Sequence, residues 1–263
     1  MTETQGDGEY SVELRSVRLS FGAREIFTDL SCGFVRGKIT VLMGGSGTGK
    51  STVLRMIGGL QRPDSGNIRV AGQDIADASE SAIRDARKRL GMLFQDGALL
   101  DSMTVFENVG LPLLEHRDLS DREIADAVHA RLAAVGLEDV DDLLPGQLSG
   151  GMLRRVALAR AIIMDPEIVL CDEPFSGLDP PNVDRIEALF GEMCRTLGLT
   201  LIVTSHHMAS SLRMSDKIVL LRDGGSVTGT PASLATSGDE EIREFLGADG
   251  RTLARQLASG GGA

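Results

Sequence analysis

One eight-residue run constrains this chain more than any other: Gly44-Gly45-Ser46-Gly47-Thr48-Gly49-Lys50-Ser51. It fits the P-loop pattern GxxxxGK[ST], whose job is to hold phosphate. The apolar run Ile39–Met43 directly precedes it, and Val53, Leu54 and Ile57 follow at helical spacing. That predicts strand, loop and helix in the order the motif needs. Glycines let successive backbone N–H groups converge on one concavity. The helix points its positive end at the same spot. Lys50 adds a full charge for outer phosphates, and Ser51 offers a hydroxyl to Mg²⁺.

The rest of the chain reads as an α/β protein built around that loop. Val12–Leu19 alternates apolar and polar residues as a half-buried strand does, and Gly66–Val70 predicts another strand. The continuous runs Glu167–Cys171, Leu199–Thr204 and Lys217–Leu221 suit strands covered on both faces. Helical stretches separate them, which implies a parallel sheet with crossover helices. Within Ser120–Val135, Ile124, Val128, Leu132 and Val135 recur at helical spacing, with Ser120 and Glu123 placed as a capping box and Gly136 as the stop. Residues 1–9 are expected to be a frayed polar leader. Asp223-Gly224-Gly225-Ser226 predicts a turn. The tail Arg251–Ala263, ending Ser-Gly-Gly-Gly-Ala, is expected to be mobile.

Two further sites carry chemistry. Ile168–Cys171 ends in Asp172-Glu173. Adjacent side chains at a strand end point in different directions, so the two acids need not share a job. Next to a P-loop, Asp172 suits the metal shell and Glu173 suits a base that polarises water. Leu148-Ser149-Gly150-Gly151-Met152 is a second candidate anion site, with a Ser hydroxyl and glycine N–H groups at a helix start. One chain has little use for two unrelated cradles, so each is expected to serve a different copy of the chain.

With these motifs in this order, the sequence resembles the ABC transporter ATPases over residues 11–247. Gly44–Ser51 looks like their Walker A loop, with Thr52 beside it, and Asp172-Glu173 like the end of Walker B. Gln95 looks like the Q-loop glutamine, Leu148–Met152 like the signature, Ser176–Asp179 like the D-loop and His206 like the switch histidine. Phe21 resembles the aromatic that stacks on adenine. The resemblance implies a P-loop NTPase core with a mixed, mostly parallel sheet, an antiparallel β subdomain and a helical subdomain at about 77–164. It implies ATP and Mg²⁺ as cofactors. Gly44, Gly45, Ser46, Gly47, Thr48, Gly49, Lys50, Ser51, Thr52, Ser149, Gly150 and Gly151 would bind nucleotide with Phe21. Ser51, Gln95 and Asp172 would hold the metal, and Glu173, His206 and Gln95 would carry the chemistry. It further implies two copies sandwiching two ATP, with Walker A of one facing the signature of the other. Two departures stand out: Met152 replaces the usual Gln, and His207 stands where Asp is common.

Composition narrows the partners. The net charge of −11 disfavours a phosphate backbone as ligand, and nucleic acid is not expected. The cluster Arg84-Asp85-Ala86-Arg87-Lys88-Arg89 is expected to be a solvated helix face. Cys32, Cys171 and Cys194 lie far apart with no CxxC spacing, which fits a reducing cytosol. No apolar stretch approaches the ~20 residues that span a bilayer. If the chain works at a membrane, other chains must span it; the resemblance implies integral membrane permease subunits, with this chain peripheral on the cytoplasmic face of the bacterial inner membrane. The stretch Arg87–Val109 is similar to the Mla/Mce branch, which moves phospholipids and related lipids across the bacterial envelope. That implies a lipid cargo and a lipid-binding envelope subunit. The alternatives are a non-lipid importer or a soluble factor acting on ribosomes or DNA.

Overall fold

The computed structural model describes residues 9–222 and 224–260. The first eight residues of the expected leader, Asp223 of the expected turn and the last three residues of the tail lie outside the described residues. In chain order, the strands β1 (Tyr10–Phe21), β2 (Arg24–Val35) and β3 (Ile39–Met43) lead through the glycine loop into α1 (Lys50–Ile57). Next come β4 (Ser65–Val70), β5 (Gln73–Asp74), α2 (Glu80–Arg87) and β6 (Leu90–Leu93). The helices α3 (Val105–His116), α4 (Asp121–Ala134) and α5 (Gly150–Ile162) follow. The chain then alternates β7 (Ile168–Asp172), α6 (Pro180–Leu197), β8 (Thr200–Thr204), α7 (Met208–Met214) and β9 (Lys217–Arg222). It ends with β10 (Gly225–Gly229), α8 (Pro231–Ala235) and α9 (Glu240–Gly260).

These strands form two sheets. The small one has the order β2-β1-β4-β5 and is antiparallel throughout. The large one has the order β10-β9-β3-β8-β7-β6, with every pair parallel except β10 with β9. Its central strands are apolar on both faces because each face packs a separate core. Val41, Val169, Cys171, Leu201 and Val203 join one cluster, while their neighbours Leu42, Leu170 and Ile202 join the other. Period-two alternation thus sorts a continuous apolar run onto two faces.

Helix starts follow side-chain chemistry. Ser120 and Glu123 cap α4 reciprocally, as expected from sequence, and Thr104 with Glu107 does the same for α3. Asn108, fully buried, donates to the carbonyls of Leu100, Met103 and Thr104 and accepts from Leu100 N–H, which stitches the loop before α3 in place.

Three expectations need correction. The span 77–164 is not all helical: Leu90–Leu93 forms β6, which pairs with β7 in the large sheet, so the helical cluster proper is α3 to α5. The short run Leu-Gly-Met-Leu is too brief to declare itself without its partner strand. The expected mobile tail is helix as far as Gly260, after a break at Gly247 (φ 62°). Ala254 there is only 1% exposed and Leu253 packs beside it against the core, because spacing from Leu246 onward keeps one apolar stripe facing inward. Finally, the basic cluster is not simply a solvated face. Arg87 donates to the carbonyls of Gly58 and Gly59, tying α2 to the loop after α1, and Arg89, beyond the helix, donates to that of Ala71.

Candidate nucleotide site

Four neighbouring parallel strands, β3, β8, β7 and β6, end at one carboxyl edge of the large sheet. Each delivers one predicted segment there: β3 the Gly44–Ser51 loop, β8 His206, β7 Asp172-Glu173 and β6 Gln95. Ligands of open α/β sheets bind outside this edge. A cleft of about 440 Å³ opens at it, lined by Phe21, Ser46, Gly47, Gly49, Lys50, Ser51, Thr52, Gln95, Glu173 and His206. Residues as far apart in sequence as Phe21 and His206 meet in it.

The loop is shaped by its glycines and anchored by its lysine. Gly49 has φ 96°, and a Cβ there would sit 2.5 Å from the Phe27 ring, so only glycine fits. Lys50 is buried and donates to the carbonyls of Gly44 and Gly45, both at 3.0 Å. Burial lowers its pKa, while Glu173 and Asp172 oppose that shift by their negative charge. Thr48 Oγ1 donates to the Gly45 carbonyl at 2.9 Å.

The two acids diverge as expected. Asp172 Oδ1 accepts from Ser51 at 3.0 Å and from Thr204 at 2.6 Å. This all-oxygen set of one carboxylate and a hydroxyl suits a hard divalent cation that takes its remaining ligands from phosphate and water. Glu173 turns the other way, into the cleft. Its backbone sits at φ 46°, a conformation that costs a non-glycine residue about 1–3 kcal/mol and concentrates at functional sites. Its N–H donates to Thr204 Oγ1 at 2.9 Å. Oε2 accepts from the His206 N–H at 3.2 Å, and Oε1 lies 3.1 Å from His206 Nε2. Oε1 is buried without a well-aimed hydrogen bond among the described residues, a feature expected where a carboxylate is kept for a ligand.

Not every predicted residue lines the cleft. Gly44, Gly45 and Thr48 shape the loop from behind, and Asp172 faces Ser51. Ser149, Gly150 and Gly151 stand apart from it. Ser149 caps α5, its hydroxyl accepting from Met152 N–H at 3.3 Å, and both Ser149 and Gly150 are exposed. Gly151 is buried against α6, where a Cβ would come 2.2 Å from Asn182 Oδ1. Met152 packs partly into the main core. At the other departure, His207 occupies the N-cap position of α7, and its Nδ1 shares a 2.6 Å hydrogen bond with Ser210 Oγ.

Three contributors escaped sequence reasoning. Thr204 bridges Asp172 and the Glu173 backbone, but ends a plain apolar strand; only its pairing opposite Asp172 reveals it. Arg24 lines the cleft and donates to the Gly47 carbonyl at 3.3 Å. Its signal was faint: it directly follows the turn after Phe21. Ser176 also lines the cleft; the sequence placed it in the D-loop-like segment without giving it a role in the site.

Comparison with known proteins agrees with this arrangement. A family profile described as "ABC transporter" matches residues 27–176. The chain belongs to the ABC transporter family. It is the ATPase cassette of that family. It is 43% identical over 236 residues to the intermembrane phospholipid transport system ATP-binding protein MlaF of Escherichia coli, covering 89% of this chain and 88% of that one. It is 38% identical over 237 residues to the probable ribonucleotide transport ATP-binding protein mkl of Mycobacterium tuberculosis, covering 90% of this chain and 66% of that one. Among solved structures, it is similar to the dimeric post-hydrolysis state of the ATP-binding cassette MJ0796 bound to ADP and Pi. That match has a TM-score of 0.76 and 29% identity over 83% of this chain and 98% of the other.

Proposed function

We propose that this ATPase powers a phospholipid transporter, working as two copies around two ATP on the cytoplasmic face of the bacterial inner membrane. The observation that carries the ATPase assignment is the convergence of four loops at one sheet edge. Phe21 would stack on adenine, the Gly44–Thr52 loop would cradle the phosphates, and Ser51, Asp172 and Gln95 would hold Mg²⁺, which would neutralise phosphate charge. Glu173 accepts a proton from water as its oxygen bonds to the γ-phosphorus. The bond from that phosphorus to the bridging oxygen breaks, and ADP leaves. His206 holds the γ-phosphate side of the cleft. The α5 start, with Ser149 and Gly150 exposed, supports a composite site, because it has a cradle's chemistry and, among the described residues, stands apart from the cleft of its own phosphate loop.

Membrane coupling is supported by a second, larger groove of about 850 Å³ between α2, β6 and the helical cluster. Met92, Phe94, Leu100, Leu111 and Pro112 line it. Phe94 is 40% and Leu100 44% exposed, whereas Val105 and Val109 nearby are core. An apolar groove of this kind receives an amphipathic helix, here from a permease subunit. Among the described residues no helix is long and apolar enough to cross a membrane. The lipid cargo is supported by the 43% identity to MlaF. The resemblance to mkl favours nucleotide cargo as a second reading. Purification of the native complex, followed by mass spectrometry of bound material, separates them. Phospholipid is the expected result, and ribonucleotides, amino acids or sugars in its place would overturn the lipid assignment. An envelope lipid-binding subunit should co-purify.

A further inference from the structure

Arg154 is a buried cation that neither the cleft nor the signature cradle accounts for. It lies on α5, four residues after the first glycine of that helix, and is 6% exposed. A guanidinium stays charged in proteins, so burying one is costly unless acceptors meet it. Among the described residues no carboxylate forms an ion pair with it; Asp96 only favours its charge from a distance, against the opposing effect of burial. Its hydrogen bonds go instead to two backbone carbonyls. Nη1 donates to Phe94 at 3.2 Å and Nη2 to Ser176 at 3.2 Å, while Nε is buried without a partner. A leucine could fill the same space at lower cost, since well-packed apolar residues often replace buried charges without loss. What an apolar residue cannot do is hold two carbonyls from different loops.

Those two loops are specific. Phe94 directly precedes Gln95, and Ser176 lies three residues after Glu173 and lines the cleft. The far side of Gln95 is held as well. Arg160, on the same helix, donates to the carbonyls of Gly97 at 2.7 Å and Ala98 at 2.8 Å. Gly97 lies so close to α5 that a Cβ would meet Leu153 at 2.6 Å. The segment carrying Gln95 is therefore bound to α5 at both ends, and Arg154 also reaches on to the loop after Glu173.

We propose that Arg154 is a positioning residue for ATP hydrolysis: it locks the Gln95 segment and the Ser176 loop to the helix that begins with Ser149 and Gly150, so that the three are held as one unit. This rests on the reading that Gln95 and the signature start serve hydrolysis. The two readings fail separately. The test compares Arg154→Lys and Arg154→Met in the full chain. Lysine keeps the charge but has a single amine, which cannot span both carbonyls in the fork geometry. Methionine keeps a comparable stem and no donor.

Both variants should melt within a few degrees of wild type and bind ATP within about twofold, with KM unchanged. Their kcat should fall about tenfold or more, the size expected when contacting residues are uncoupled. In a Gln95→Ala background the same substitutions should cost clearly less, because the group being positioned is gone. Wild-type kcat in both variants would overturn the proposal. So would parallel loss of folding, binding and turnover in the lysine variant, or full additivity with Gln95→Ala, since each marks a plain structural role. If Gln95→Ala and Ser149→Arg themselves hydrolyse ATP normally, the underlying reading fails first.

Discussion

The chain contains two glycine-rich helix starts, and they differ in how completely the fold finishes them. Gly44–Ser51 opens α1 and is enclosed by loops from three neighbouring strands, with Lys50 already bonded to the loop's own carbonyls. Ser149–Gly151 opens α5 and is capped within its own turn, with Ser149 and Gly150 exposed. Locally the physics is the same: glycine N–H groups, a hydroxyl and a helix start. The difference is tertiary. One cradle has its acid, its metal-type oxygens and its histidine around it; the other does not line that cleft. A cradle so left open is informative because it points to a surface the chain does not own.

The comparison predicts that damage to the enclosed cradle abolishes chemistry or binding in each copy, whereas damage to the open one acts only when copies meet. The largest effect is expected from Glu173→Gln. Loss of a positioned general base costs about 10²–10⁴ in rate, so phosphate release should fall about a thousandfold while ATP still binds. ATP-dependent dimers should accumulate and be visible by light scattering. Turnover near wild type would break the assignment of the enclosed site. Lys50→Ala comes next. Removing one partner from a buried charge arrangement costs about 3 kcal/mol at the low end, roughly 150-fold in Kd. Calorimetry with ATP checks this, and wild-type affinity would show that Lys50 does not face phosphate.

Ser149→Arg sharpens the contrast. It fills the open cradle and leaves the enclosed one untouched, so ATP should bind each monomer normally while hydrolysis drops about a hundredfold, as when a transition-state donor is lost. Mixed with Lys50→Ala chains, it can rebuild at most one intact site per dimer. Full hydrolysis by monomers at high dilution would refute the two-copy reading. The smallest effect belongs to Gly151→Ala. Its new methyl meets Asn182 Oδ1, and overpacking of this kind costs about 1–3 kcal/mol. A chain of this size should then melt about 2–4 °C lower per kcal/mol. An unchanged melting temperature would mean that α5 and α6 yield easily at the open cradle.

The cleft was largely legible because its parts are written as local chemistry. A glycine run, a strand ending in two acids and a histidine after an apolar strand each declare themselves within a few residues, and all three arrive at one edge. Thr204 was not legible, although it bridges Asp172 and the Glu173 backbone, because a threonine closing an apolar run carries no mark of what lies opposite. Arg154 and Arg160 were read only as part of a helix after the signature. Their partners are backbone carbonyls about 60 residues earlier and, for Arg154, one 22 residues later, and a carbonyl has no identity in sequence. The same blindness hid β6 and the docked half of α9, where short or mixed patterns become strand or helix only through a neighbour.

By itself, then, the sequence marked a glycine loop, a strand ending in two acids and a second glycine-rich helix start, and indicated a large sheet that is mostly parallel and covered on both faces. Those depend on backbone freedom, side-chain charge and periodicity, which act over a turn or a strand. Only the tertiary structure decided that β3, β8, β7 and β6 stand side by side, that Glu173 is held at a positive φ against His206, and that the signature helix grips the Gln95 loop through buried arginines. Strand order, register and the satisfaction of a buried guanidinium are set by packing between segments far apart in the chain, where no local preference reaches.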